Sequence, residues 1–199
     1  MRFDRGALVR RLRDLAEWKR AAFALALCER MLPNHRAFTR ATGGGSDALR
    51  GGLDAAWARL VAGGAPADAE AWIARCAAAA PDTEAHDHPL VSAALDAAGA
   101  VELLLRYLVD SDIDRDVEAA SLARDTVDMA VALPGVPGAR AADREARALR
   151  DPLVQRELRR QRDDLDWLAA LDGDAGSRID ELRARWYDPA SGSLGGSVR

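Results

Sequence analysis

The chain has 199 residues, 28 of them basic and 32 acidic, with a formal net charge of -4 and 49% hydrophobic side chains. A chain of this length buries about 70% of its unfolded surface in one domain and needs no disulfide or metal to fold. Its mild, intermixed acidity argues against nucleic acid as a partner, which shows as a basic excess or stripe, and no apolar run reaches the roughly 18 residues that span a bilayer.

The stretch 8–38, LVRRLRDLAEWKRAAFALALCERMLPNHRAF, organises the rest. In its first half Leu8, Leu12, Leu15 and Ala16 recur at helical spacing, while Arg10, Arg11, Arg13, Asp14 and Glu17 fall on the other side. That pattern is one buried stripe and one solvated face. The same charges interrupt any signal-peptide core, so a cytoplasmic protein with no membrane partner is expected. From 21 to 31 the polar side almost vanishes, which predicts a helix with neighbours on several sides. Pro33 is expected to end it, leaving Asn34 to cap a short following helix.

The run 15–38 resembles the signature of the YjaG-like family, small bacterial proteins with a domain of unknown function. The likeness rests on Trp18, Phe23, Cys28, Glu29, Arg30, Met31, Pro33, Asn34 and Phe38. Weaker echoes at Trp57, at 94–97, at 151–155 and at 179–182 extend it over most of the chain. His35 stands where the family places a second aromatic, and Gly43, Gly44 and Gly45 also depart from its pattern. The resemblance implies an all-helical single domain and implies no activity.

After the glycines, Ser46 or Asp47 is suited to cap a helix that buries Leu49, Leu53, Trp57 and Leu60, with Gly51 and Gly52 weakening its first turns. No lysine follows Gly45, so a phosphate-binding P-loop is excluded. Pro66 opens the next helix, with Ala69, Trp72, Ile73 and Cys76 on one face, and Pro81 ends it. Cys28 and Cys76 sit among small apolar residues in separate helices, as buried reduced thiols do. His86 and His88 flank Asp87 in the loop beyond. An H-x-H pair can hold zinc or iron with a distant carboxylate, but no third ligand stands at diagnostic spacing, so solvated loop histidines that cap a turn are expected.

Residues 89–109 form the second nearly all-apolar segment, expected to pack against 21–31. Asp96 lies inside it as Glu29 lies inside the first, and a buried carboxylate is tolerated only when paired or hydrogen-bonded. Two readings follow. Either Glu29 and Asp96 share a cleft with His86 or His88 as a metal or acid/base site, or each pairs with an arginine such as Arg20, Arg30 or Arg106 to fix helix register, the preferred alternative.

The acidic run 110–116 fails as a calcium loop, because Arg115 and Ser121 occupy the positions that need glycine and glutamate. Ser111 or Asp112 instead caps a helix that Pro134 stops. After a connection at 133–140, Asp151 and Pro152 make a clean helix start. The helix beyond buries Leu153, Val154, Leu158, Leu165, Leu168 and Leu171 and carries Arg156, Arg159, Arg160, Arg162, Asp163 and Asp164 on its exposed side. Gly173 closes it, and a last helix runs to Trp186.

The expected architecture is therefore all-α: one helical bundle over 1–187, of eight to nine helices around two central apolar ones, with a disordered tail at 188–199. No cofactor is predicted. The preferred role is an interaction or regulatory module without catalytic activity, working on another protein or as a homodimer. The alternatives are an enzyme using Glu29, Asp96 and the His86 and His88 loop, and a bundle that holds a small molecule between its two apolar helices.

Overall fold

A computed structural model describes residues 1–44, 47–131 and 148–187, together with Ala146 and Leu194. Among these residues there are eight helices and no strand. They are α1 (Arg5–Arg13), α2 (Glu17–Thr42), α3 (Ala48–Ala62), α4 (Ala69–Ala78), α5 (Val91–Asp110), α6 (Ile113–Val131), α7 (Pro152–Ala170) and α8 (Ala175–Trp186). The predicted connection at 133–140 lies outside the described residues, as does the predicted tail apart from Leu194, which is buried.

The two apolar segments lie side by side as the inner rods. α2 packs along α5 and also meets α3, α6, α7 and α8, while α5 meets α3, α4 and α6. Every residue from Ala21 to Leu32 is buried, as are Ala94, Ala97, Ala98, Val101, Leu104 and Leu105 of α5. Burial on this scale is the main source of stability, at about 1.5–3 kcal/mol for each large aliphatic or aromatic side chain removed from water.

Two boundaries differ from the sequence expectation. The stretch before residue 21 divides into α1 and α2, because Ala16 is extended with ψ of 151°. The turn lets Leu8, Leu12 and Leu15 all face the core. Pro33 does not end α2, which continues to Thr42 and is capped by Gly43 in the left-handed region at φ 75°. Proline in a helix interior costs about 3 kcal/mol. Here Met31, Leu32, Asn34, His35 and Phe38 are all buried around it, and that packing outweighs the cost.

Gly51 and Gly52 have a packing reason. A Cβ at Gly51 would stand 2.5 Å from the Trp72 ring, and one at Gly52 would stand 2.8 Å from Cys76 Sγ. The pair lets α3 approach α4 more closely than any other residue allows, which seats Arg50 against α2. At the other end of the chain, Asp151 Oδ1 accepts from Leu153 N at 2.8 Å with Pro152 in the first turn, and Asp174 and Ser177 close a capping box on α8.

Candidate functional site

Glu29 is buried in a closed ionic cluster. Its Oε2 accepts from Arg50 Nη1 at 2.8 Å, and its Oε1 accepts from Arg50 Nη2 at 2.9 Å and from Trp57 Nε1 at 2.7 Å. Arg50 Nε donates to Asp54 at 2.9 Å. Burial works to depress the Arg50 pKa, but its hydrogen bonds to Glu29 and Asp54 outweigh that and hold it above the usual arginine value. The arginine partner is Arg50, from α3, and none of the arginines the sequence nominated.

Asp96 meets a hydroxyl where an arginine was expected: Thr126 Oγ1, on α6, donates to its Oδ2 at 2.7 Å. Asp96 is half-buried, and that burial raises its pKa, with Thr126 opposing the shift and Asp125 adding to it. Glu29 and Asp96 thus bond to different helices. His86 and His88 come together, but around an aromatic ring: each meets Phe38 edge-on, with centroids at 5.2 and 5.5 Å. His88 Nδ1 also accepts from Leu90 N at 3.1 Å, shaping the entry to α5. Among the described residues no three histidine, cysteine or acidic side chains converge as a metal set.

The arrangement the sequence did not reveal is built on Arg30, the next residue of α2, where that helix meets α7 and α8. Buried Arg30 donates through Nη1 to Asp164 Oδ2 at 2.7 Å and through Nη2 to Glu157 Oε1 at 3.3 Å. Asp164 Oδ1 accepts from Trp186 Nε1 at 3.0 Å and from Arg185 Nε at 3.3 Å. Gln161 Nε2 donates to Glu157 Oε1 and to the Ala120 carbonyl, both at 3.1 Å. Arg185 also stacks 4.7 Å over the Trp167 ring.

This cluster is incompletely satisfied. Arg30 Nε, Arg160 Nη1 and Glu157 Oε2 are all buried and have no hydrogen-bond partner among the described residues. Burial lowers the Arg160 pKa, and the charges of Arg30 and Arg156 push it the same way. Arg30 itself stays charged, since Glu157 and Asp164 more than offset its desolvation. An open cavity of about 290 Å³ elsewhere is lined by Trp18, Ala21, Leu60, Tyr107 and Leu108 among others, whereas Arg30, Arg160, Asp164, Arg185 and Trp186 line one of about 230 Å³.

Sequence reading placed Arg160 and Asp164 on the solvated face of α7, yet Asp164 is only 4% exposed. The signal was present: Glu157, Gln161 and Asp164 recur at four and three residue steps directly beside the stripe of Val154, Leu158, Leu165 and Leu168, so they share its inward side.

One further buried group stood in the sequence only as the last member of the acidic run 110–116. Asp116, in the first turn of α6, is wholly inaccessible, and neither carboxyl oxygen has a partner among the described residues. Desolvation drives its pKa well above the usual carboxylate range against the pull of Arg20, with Asp112 and Asp110 adding to the rise. Tyr107 receives a hydrogen bond from Arg20 Nε at 2.9 Å, and burial pushes its pKa up to about 12. Cys28 and Cys76 are buried free thiols, as expected, and desolvation raises both, Cys76 to about 11.

Comparison with known proteins gives a consistent picture. The family model described as protein of unknown function DUF416 matches residues 7–195. The uncharacterized protein YjaG of Escherichia coli strain K12 is 31% identical over 121 residues, a match covering 60% of this chain and 62% of that relative. A crystal structure of a DUF416 family protein from Shewanella baltica OS155 superposes with a TM-score of 0.85 over 96% of this chain and 98% of its own. At 22% identity that likeness speaks for the fold.

Proposed function

We propose, for a chain that belongs to the DUF416 family of proteins of unknown function, a non-catalytic binding role: an interaction or regulatory module whose recognition site is the cavity between α2, α7 and α8. The observation that carries this reading is that Arg30 and Arg160, which line that cavity, each keep a buried nitrogen with no partner among the described residues. Buried polar groups are almost always paired, so guanidinium nitrogens left without a partner among the described residues, in side chains that line a cavity, support a recognition role. In contrast, both oxygens of Glu29 are taken by α3, so Glu29 does not stand ready as a base, and Asp96 receives a hydrogen bond from Thr126.

The reading is tested with a panel of anionic, neutral and cationic metabolites, by thermal shift and by mass spectrometry of the recovered compound. A binding module is expected to be stabilised by mass action and to return its ligand unchanged. Turnover of any compound that is lost in Asp96→Asn would replace this reading with the enzymatic one. The cavity beside Trp18 and Tyr107 favours a second reading, a small molecule held at the end of the α2 and α5 seam. Filling it with Leu60→Trp would then abolish the response.

A further inference from the structure

We propose that the cavity between α2, α7 and α8 binds a small oxoanion, a phosphate or carboxylate group, with Arg160 and Arg185 as its contacts and Arg30 as the cation fixed behind them. The inference rests on the binding-module reading and specifies its ligand class.

The charges are unbalanced at this place. Three guanidinium groups, of Arg30, Arg160 and Arg185, gather around two carboxylates, of Glu157 and Asp164, and among the described residues Arg160 has no ion pair, while Arg30 and Arg185 both have one with Asp164. Asp164 already accepts from Arg30, Arg185 and Trp186, so its charge is answered by the side chains it holds in position. The excess is therefore positive, on a chain whose net charge is -4.

Chemistry and size agree. A guanidinium presents its donors in a rigid fork that matches an oxoanion, and it gives up water more readily than an ammonium does. Arg30 is 7% exposed and is anchored by Glu157 and Asp164, so its position is set before any ligand arrives. The cavity volume of about 230 Å³ falls below the roughly 300–1,000 Å³ of sites for drug-sized ligands, which suits an anionic head group or a small acid. The competing internal arrangement is a swing of Arg160 onto the unpartnered Glu157 Oε2, three residues away on the same helix.

The test titrates inorganic phosphate, and separately malonate, into the full chain at constant ionic strength against chloride. It follows the thermal unfolding midpoint and tryptophan fluorescence, which Trp186 in the cavity wall reports. A saturable response to either anion is expected, weakened about tenfold or more in Arg160→Met and in Arg185→Ala, and retained in Arg36→Met, whose arginine pairs with Asp47 instead. Which anion responds tells phosphate from carboxylate recognition. The absence of a saturable response to both, or a full response in Arg160→Met, overturns the proposal. The midpoint in chloride alone reports whether Arg160→Met folds, and Arg185→Ala, at a more exposed position, decides the matter if it does not. Failure here with an unchanged ligand found in the metabolite panel removes only the oxoanion; failure of both removes the binding module as well.

Discussion

Glu29 and Arg30 are neighbours on α2, about 100° apart around its axis, and they enter two buried ionic clusters of different character. Around Glu29 both carboxylate oxygens are met by Arg50 or Trp57, and each nitrogen of Arg50 donates to Glu29 or Asp54. Around Arg30 the pairing among the described residues is partial, and the same side chains line a cavity. Burial and charge are common to both, so neither distinguishes a structural tie from a recognition site. What distinguishes them is whether the hydrogen-bonding capacity of the cluster is used up within the chain.

The comparison is broken most severely by removing Glu29. Glu29→Ala leaves Arg50 buried without its main counter-charge, and a cost of about 3–5 kcal/mol is expected, seen in urea unfolding as a lower midpoint and in heat as a Tm drop on the order of 10 °C. A loss below about 1 kcal/mol would mean that the closed cluster ties nothing together. Next in size is Gly52→Ala. The added Cβ would meet Cys76 Sγ, with Val101 and Leu105 close by. The strain of overpacking, about 1–3 kcal/mol, should exceed the gain of about 1 kcal/mol from better helix propensity, and α3 should sit less firmly on α2. Urea unfolding of the variant checks the sign: equal or greater stability would show that α3 has room to shift.

Asp116 sharpens the contrast as a buried acid without a hydrogen-bond partner among the described residues. Its folded pKa is raised, so the native state holds a proton that the unfolded chain releases above about pH 4. Its contribution is complete below that pH and is lost as pH rises through the folded pKa. The fall in urea midpoint between about pH 5 and about pH 8 should therefore be smaller in Asp116→Asn than in the wild type. An equal fall in the two proteins would mean that Asp116 ionises in the fold without penalty.

Much of the architecture was legible because it depends on local pattern. The two apolar segments announced the inner rods, Asp151 with Pro152 marked the start of α7, and His88 does shape a turn. Glu29 was legible as a paired carboxylate, but its partner was not, since the pairing of α2 with α3 is a property of packing and not of spacing along either helix. Pro33 misled for the same reason: the rule that proline ends a helix is a local one, and burial on all sides of α2 overrides it. Arg160 and Asp164 were assigned to water because a charged residue was judged by its type, and Glu157 was left unassigned. The helical register of Glu157 and Asp164, in step with the leucine stripe of α7, was the better guide.

The central claim is that the Arg30 and Arg160 cluster is a site and not a structural tie, and urea unfolding of Arg160→Met beside the wild type tests it most directly. Methionine keeps much of the apolar stem and removes a partly buried guanidinium that has no ion pair among the described residues. The account predicts stability equal to the wild type or higher by up to about 1 kcal/mol. A loss approaching that of Glu29→Ala would show that Arg160 holds the fold together, and would contradict it.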